Sequence, residues 1–277
     1  MKGQAMNRVC LLDGAMGTEL MKRGVTTPRF PEQVNLTDPA AVQAIHRDYI
    51  RAGSRIVYAC TFGANPLKAR GEAVAPVIGA ALANARSAAG EEAKVALDVG
   101  PLGQLLEPYG DVSEEEAKDA FREVFASGEA ADLVVLETFF DLTELLLALE
   151  TAREVLPGKP VFATMTFQRS GRTLTGVTVE EMAHALEEAG ASAVGLNCSL
   201  GPVEALPLAE ALRKATEKPI IVKPNAGMPD PATGAYPMDA AAFAAAMAPI
   251  LRLGVQYAGG CCGTDPDYIR HLARLEE

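Results

Sequence analysis

Positive charge is in short supply in this sequence. There are 25 lysines and arginines against 36 aspartates and glutamates, a net charge of −11 over 277 residues. That deficit argues against nucleic acid and against an anionic membrane surface as partners. Long apolar runs are also missing: no stretch could span a bilayer, and residues 1–7 are polar, without the core of a secretory signal. Cysteine is sparse and odd in number. Cys10, Cys60, Cys198, Cys261 and Cys262 do not make a disulfide framework in a chain of this size. Free thiols suit a reducing cytoplasm, where they can serve as metal ligands or catalysts. Finally, no G-x-G-x-x-G follows an apolar run, so the usual mark of a dinucleotide-binding open sheet is absent.

What is present is a regular alternation. Hydrophobic residues make up 49% of the chain, enough for a sizeable core. Short apolar runs at 9–12, 55–59, 94–99, 132–136, 160–166, 192–196, 219–222 and 254–258 read as strands. They are continuously apolar rather than alternating, as parallel strands buried on both faces are. A helix follows each. Asp38 caps one with Pro39 in its first turn and Gly53 after its end; Ser113 with Glu116, and Thr178 with Glu181, form capping boxes; Asp141, Asp239 and Asp265 open three more. The Ala-rich segment 66–89 reads as one helix with Pro76 as a candidate interruption. Eight strand–helix units in a chain of this length predict an α/β fold, a single (β/α)8 barrel (a TIM barrel) forming one domain over 1–277, with an open doubly wound sheet as the runner-up.

In such barrels the active site lies at the C-terminal ends of the strands, and polar residues collect there: Asp13, Thr61, Glu137, Cys198, Asn225, Cys261 and Cys262. The last two sit side by side in Gly259-Gly260-Cys261-Cys262-Gly263. Neighbouring side chains in a strand point to opposite faces, so the two thiolates can share a metal only where glycine lets the backbone leave the strand path. The pair is either two small buried residues at a strand end or two legs of a zinc site. The second reading needs a third ligand. Cys198, 63 residues earlier, is brought to the same rim by the barrel. Three thiolates plus an open position is the pattern of a catalytic zinc. His46, His184 and His271 all fall in predicted helices away from the rim, and Cys10 falls inside the first strand. Cys60, at the end of the second strand, is either a fourth ligand or a packing residue. A soft open site suits a substrate thiol, which a metal would ionise. For an amino-acid thiol, Glu137 could pair with the ammonium, the N–H groups of the 13–17 turn could bind the carboxylate, and Asp13 could fix that turn or reach the amine. Loop capping is the competing reading for both acids.

The motifs Leu12-Asp13-Gly14-Ala15-Met16-Gly17-Thr18, Cys60-Thr61-Phe62-Gly63-Ala64-Asn65, Glu137-Thr138-Phe139, Gly195-Leu196-Asn197-Cys198-Ser199, Pro224-Asn225-Ala226-Gly227 and Gly259-Gly260-Cys261-Cys262-Gly263 resemble the homocysteine S-methyltransferase family, in family order over nearly the whole chain. The resemblance implies a (β/α)8 barrel with one zinc on Cys198, Cys261 and Cys262. It implies homocysteine sulfur at the open position, with Asp13, Thr61, Glu137 and Asn225 around the substrate. Cys60 stands where the family pattern has Asn. Within the family, Pro224-Asn225-Ala226-Gly227 and Gly171-Arg172-Thr173-Leu174-Thr175-Gly176 are most similar to the homocysteine module of cobalamin-dependent methionine synthase. On this reading the barrel fills the chain, leaving no second barrel for methyltetrahydrofolate, and the cobalamin-module pattern Asp-x-His-x-x-Gly does not occur. Three expectations follow. The chain forms methionine with methyl from methylcobalamin or methyltetrahydrofolate through a cobalamin- or folate-binding partner. Alternatively it takes methyl directly from S-methylmethionine or S-adenosylmethionine. Or it is a homocysteine-presenting subunit, inert without a cobalamin protein.

Overall fold

The computed structural model describes residues 9–25 and 30–275; the polar stretch 1–7 lies outside them. Eight strands pair in parallel: β1 Cys10–Leu11, β2 Ile56–Tyr58, β3 Lys94–Val99, β4 Leu133–Phe139, β5 Val161–Met165, β6 Ala193–Asn197, β7 Ile220–Lys223 and β8 Tyr257–Ala258. Their order is β1-β8-β7-β6-β5-β4-β3-β2. Parallel neighbours require crossovers, and helices provide them. After β1 come α1 Met16–Lys22, α2 Val34–Thr37 and α3 Pro39–Ala52; after β2, α4 Pro66–Ala69 and α5 Val74–Ala89. Then α6 Glu114–Ala126, α7 Leu142–Val155, α8 Val179–Glu188, α9 Pro202–Ala215, α10 Ala240–Arg252 and α11 Pro266–Ala273 follow the remaining strands in turn.

The gap between β2 and β1 is bridged by other means than a ladder. The Arg55 N–H donates to the Leu11 carbonyl at 2.7 Å, and the Ser54 hydroxyl to the Leu12 carbonyl at 3.0 Å. One step further, the Asp13 carboxylate accepts the Tyr58 N–H at 2.7 Å. A side chain replaces the strand carbonyl that the short β1 cannot offer, and the (β/α)8 barrel closes.

Alternation along the strands sorts the core into two layers. Ile56, Tyr58, Leu133, Val135, Phe162 and Ile221 fill the barrel interior together with Leu12. Their strand neighbours Val57, Val134, Leu136, Val161 and Val222 face outward into the larger layer beneath the helices. Each fully buried Val or Leu contributes roughly 1.5–3 kcal/mol.

The expected caps form. Asp38 accepts from the Ala41 N–H, both capping boxes are complete, and Asp141, Asp239 and Asp265 each accept first-turn N–H groups. The segment 66–89 differs from its reading as one helix. It breaks after Ala69, where Arg70 turns left-handed at φ 51° and Gly71 follows at φ 93°. Pro76 does not interrupt anything; it lies in the first turn of α5, where its missing N–H costs no hydrogen bond. Among the described residues no helix is long and apolar enough to cross a membrane.

Candidate active site

The C-terminal ends of β6, β7 and β8 are laced together by backbone hydrogen bonds. The Cys198 N–H donates to the Lys223 carbonyl at 3.1 Å, the Cys261 N–H to the Pro224 carbonyl at 2.8 Å, and the Ala226 N–H to the Cys262 carbonyl at 2.9 Å. Cys198 and Ser199 are both left-handed, at φ 58° and 48°. Non-glycine residues rarely adopt that conformation, and side chains hold it here. The Ser199 hydroxyl contacts that of Thr166 and donates to the Phe167 carbonyl at 2.8 Å. The result turns the Cys198 thiol toward β8. The glycines around the cysteine pair serve two different needs. Gly263 is left-handed at φ 81°, whereas at Gly260 close approach decides: a Cβ there would stand 2.4 Å from the Thr264 hydroxyl oxygen.

The three sulfurs of Cys198, Cys261 and Cys262 lie within 4.8 Å of one another, with Cys198 and Cys262 3.8 Å apart. Cys261 is buried; the other two are partly exposed. The cluster cannot hold three negative charges unaided. Hydrogen bonds from Cys198 and Cys261 pull the Cys262 thiol far below its ordinary pKa. Cys261 is driven well up, because its hydrogen bonds to Cys198 and Cys262 and its burial favour the protonated form.

Cys60 is not in this cluster. Its carbonyl accepts from the Asn35 side chain at 2.8 Å, it packs against the core, and burial pushes its thiol pKa up. His46, His184 and His271 lie on α3, α8 and α11, away from the sulfurs.

Beside the sulfurs is a buried charge cluster. The Lys223 ammonium lies 3.3 Å from Asp13 Oδ1 and 3.8 Å from Glu137 Oε2, and 4.3 Å above the Tyr58 ring. Burial works against the Lys223 charge, but Glu137 and Asp13 outweigh it, and its pKa stays well above the ordinary value. Burial likewise raises Glu137, opposed by Lys223. Asp98, on β3, is pushed well up by burial and by the neighbouring Glu137.

The four residues expected around a substrate divide into two kinds. Glu137 Oε2 and Asn225 Oδ1 are buried and find no hydrogen-bond partner among the described residues. Asp13 and Thr61 are already engaged. Asp13 Oδ2 accepts the Tyr58 N–H, while its Oδ1, like Glu137 Oε2 without a hydrogen-bond partner among the described residues, faces the Lys223 ammonium; the Thr61 hydroxyl donates to the Asp98 carbonyl at 2.7 Å and accepts the Asp98 N–H at 3.1 Å. In the turn after Asp13, Ala15 caps α1 without a side-chain acceptor. Glu137 owes its aim to a bulge. Asn197 Oδ1 accepts the Thr138 N–H and the Thr164 hydroxyl, both at 2.8 Å, and Asn197 Nδ2 donates to the Thr138 hydroxyl at 2.8 Å. That clamp keeps Thr138 at φ 65°, where the β4–β5 register shifts.

Sequence reasoning did not single out Lys223, Asp98, Asn197 or Tyr236. The first two carried a signal, a charge in an otherwise apolar run. Tyr236 carried none, since its place against Gly263 depends on the path of the β7–α10 loop.

Comparison with known proteins agrees with this fold. The family model for homocysteine S-methyltransferase matches residues 10–275. Methionine synthase of Mycobacterium leprae is 34% identical over 295 aligned residues, covering 96% of this chain but 24% of that protein, so the chain spans about a quarter of the length of the curated relatives it matches. The homocysteine methyltransferase MmuM of Escherichia coli superposes in its oxidized form with a TM-score of 0.83 at 25% identity, over 97% of this chain and 96% of that one. Its metallated form superposes with a TM-score of 0.82 over the same shares. Matched from its first strand to the end of its last helix, this chain belongs to the homocysteine S-methyltransferase family.

Proposed function

We propose that this chain is a zinc-dependent methyltransferase that accepts a methyl group on homocysteine to form methionine. The convergence of Cys198, Cys261 and Cys262 supports it most strongly. The donor set fits the metal. Three soft sulfurs at one point, able to carry only part of their charge without help, suit a thiophilic dication, and three ligands leave one position open. Zinc held there supplies the Lewis acidity that keeps an incoming thiol ionised at neutral pH.

The remaining residues orient the amino acid. Glu137 Oε2, buried and without a hydrogen-bond partner, takes the substrate ammonium; Asn225 Oδ1 offers a second acceptor. Lys223 spans Asp13 and Glu137, so the two acids meet the substrate with one net negative charge rather than two. Asp13 and Thr61 act through the frame, holding β2 and β3 in place. The methyl group comes from methylcobalamin or methyltetrahydrofolate by way of a cobalamin- or folate-binding partner. The methionine synthases that this chain matches are about four times its length, which supports a donor carried by other modules. Direct transfer from S-methylmethionine or S-adenosylmethionine is the second reading, supported by MmuM, a homocysteine methyltransferase of nearly this chain's own length. All five cysteines are free, which suits a reducing cytoplasm.

Purified, zinc-loaded protein offered homocysteine with S-methylmethionine, S-adenosylmethionine or methylcobalamin separates these readings. Methionine from methylcobalamin alone supports the first. Methionine from a sulfonium donor supports the second. No methionine with any of them, but turnover restored by a cobalamin protein, identifies a presenting subunit. Homocysteine that leaves the zinc coordination sphere unchanged refutes the proposal.

A further inference from the structure

Six acidic side chains are buried among the described residues: Asp13, Glu19, Glu32, Asp98, Glu137 and Glu144. All but Asp98 have a partner. Glu19 pairs with Arg23 at 3.0 Å, Glu32 accepts the Gly63 N–H at 2.6 Å, and Glu144 accepts the Leu102 N–H at 2.6 Å. Asp13 and Glu137 share Lys223. The main chain of Asp98 is tied on both sides to the Thr61 hydroxyl. Its carboxylate is not tied to anything. Oδ1 is buried without a hydrogen-bond partner, and no lysine or arginine among the described residues pairs with the group. A carboxylate that held the frame would grip a backbone N–H, as Asp13 grips that of Tyr58.

Register shows where this unpaired group stands. Alternation puts Asp98 on the same face of β3 as Ala96, which lies in the barrel interior. Ala96 is in register with Tyr58 on β2, and Asp98 with Val135 on β4. The Tyr58 ring lies under the Lys223 ammonium, and Glu137 stands one interior step beyond Val135. Asp98 is therefore the third acid at the C-terminal mouth of the interior, on the strand between those that supply Tyr58 and Glu137.

Three carboxyls thus meet one ammonium, and that ammonium is already shared by two of them. A buried carboxylate without a partner is costly to hold, so the arrangement is one cation short. An incoming ammonium brings one positive charge and three N–H donors. Unpartnered acceptors await it: Asp98 Oδ1, Glu137 Oε2 and Asn225 Oδ1. We propose that Asp98 is a substrate-binding residue that takes, together with Glu137, the ammonium of the amino-acid thiol, and so selects thiols carrying an α-amino group over those without one. This rests on the reading of homocysteine as the substrate.

Isothermal titration calorimetry of the zinc-loaded protein tests this with two thiols, homocysteine and 4-mercaptobutanoate, which lacks only the amine. The wild type is expected to bind homocysteine the more tightly. Asp98→Asn keeps the shape of the side chain and removes its charge. It should weaken homocysteine about tenfold or more, the size of a lost hydrogen bond between charged groups, and leave 4-mercaptobutanoate within about twofold. A residue that only shaped the site would move both thiols together. An unchanged preference, or an equal loss for both thiols, overturns the proposal and leaves the homocysteine reading in place. A wild type that binds neither thiol overturns that reading, and this proposal with it. Asp98→Ser is the second variant and should show the same loss of preference. If neither variant folds, the carboxylate belongs to the frame and the proposal fails.

Discussion

Two clusters adjoin on the C-terminal rim of the barrel, one from β1, β4 and β7 and one from β6 and β8, and they solve the same problem differently. The Asp13–Lys223–Glu137 cluster carries its own counter-charge: one ammonium within 4 Å of two carboxylates. The Cys198–Cys261–Cys262 cluster shares the influence of that same Lys223 and has no second cation acting on it among the described residues, so its sulfurs compete for protons. A buried charge must be paired or neutralised. The acids are paired within the chain; Cys198 and Cys261 favour their protonated forms, and under the proposed function a metal would take the place of those protons. The contrast explains why the acid cluster is complete in the folded chain alone, whereas the sulfur cluster is suited to a cation from outside.

The comparison breaks first at the sulfurs. Cys261→Ser removes the buried ligand and leaves two thiolates. Zinc content measured by plasma mass spectrometry should fall from about one equivalent per chain to about a tenth of that or less after dialysis. Retention of zinc at wild-type affinity would mean that the cluster is not the metal site. The next effect is on the acids. Lys223→Met leaves Asp13 and Glu137 buried without their cation, which should cost about 3–5 kcal/mol in urea unfolding at neutral pH. Lys223→Met combined with Glu137→Gln should recover part of that loss. A cost under about 1 kcal/mol for the single variant would show that the acids do not depend on Lys223.

Glu144 sharpens the comparison because it is a buried carboxyl with no cation in contact. It lies at the start of α7, accepts the Leu102 N–H at 2.6 Å, and is raised to about 7, chiefly by burial. A carboxyl whose folded pKa is raised favours the fold when protonated. Its contribution is complete below the unfolded value near ~4.5 and is lost as pH rises through about 7. Wild-type stability should therefore lose roughly 3 kcal/mol from this group across that window. Glu144→Gln keeps an acceptor for Leu102 and should remove that slope. Denaturant midpoints at pH 4.5, 6 and 7.5 check it, and an unchanged slope in the variant rules the assignment out.

The sequence was legible where one residue type has one physical reason to be there. Continuous apolar runs announced strands buried on both faces, and the Ser113–Glu116 and Thr178–Glu181 pairs announced helix starts. Cys198, Cys261 and Cys262 could be placed on one rim because the barrel topology fixes where strand ends go. Illegible were features that depend on the path of the chain between elements. Nothing local shows that Asp13 completes the seam between β1 and β2, since the same residue could as well cap the next turn. The break at Arg70 leaves α4 as a single turn, which the Ala-rich composition around it conceals. Lys223 and Asp98 were visible as charges in apolar strands, but what surrounds them is a property of the closed barrel. Tyr236 belongs to the same class: only the return of its loop brings its ring onto Gly263, next to Cys262 in the chain.

His46 marks the far end of the comparison, a buried polar group with neither a counter-charge nor a hydrogen bond. It is fully buried on α3, and both ring nitrogens lack a hydrogen-bond partner among the described residues. Burial lowers its pKa to about 4. The sign is opposite to that of Glu144. The ring is neutral in the fold, while the unfolded chain takes up a proton near ~6.5, so stability is lost as pH falls from there toward about 4. Between these limits the two groups oppose each other, and the wild-type profile alone cannot separate them. His46→Leu replaces the ring with an apolar side chain that needs no partner. It should raise stability at pH 5 by about 1 kcal/mol or more, and by less at pH 8, where only the unpartnered nitrogens are relieved. Equal gains at both pH values would mean that His46 does not titrate across this range. A loss at both would mean that the ring holds a partner, such as a buried water, that leucine cannot replace.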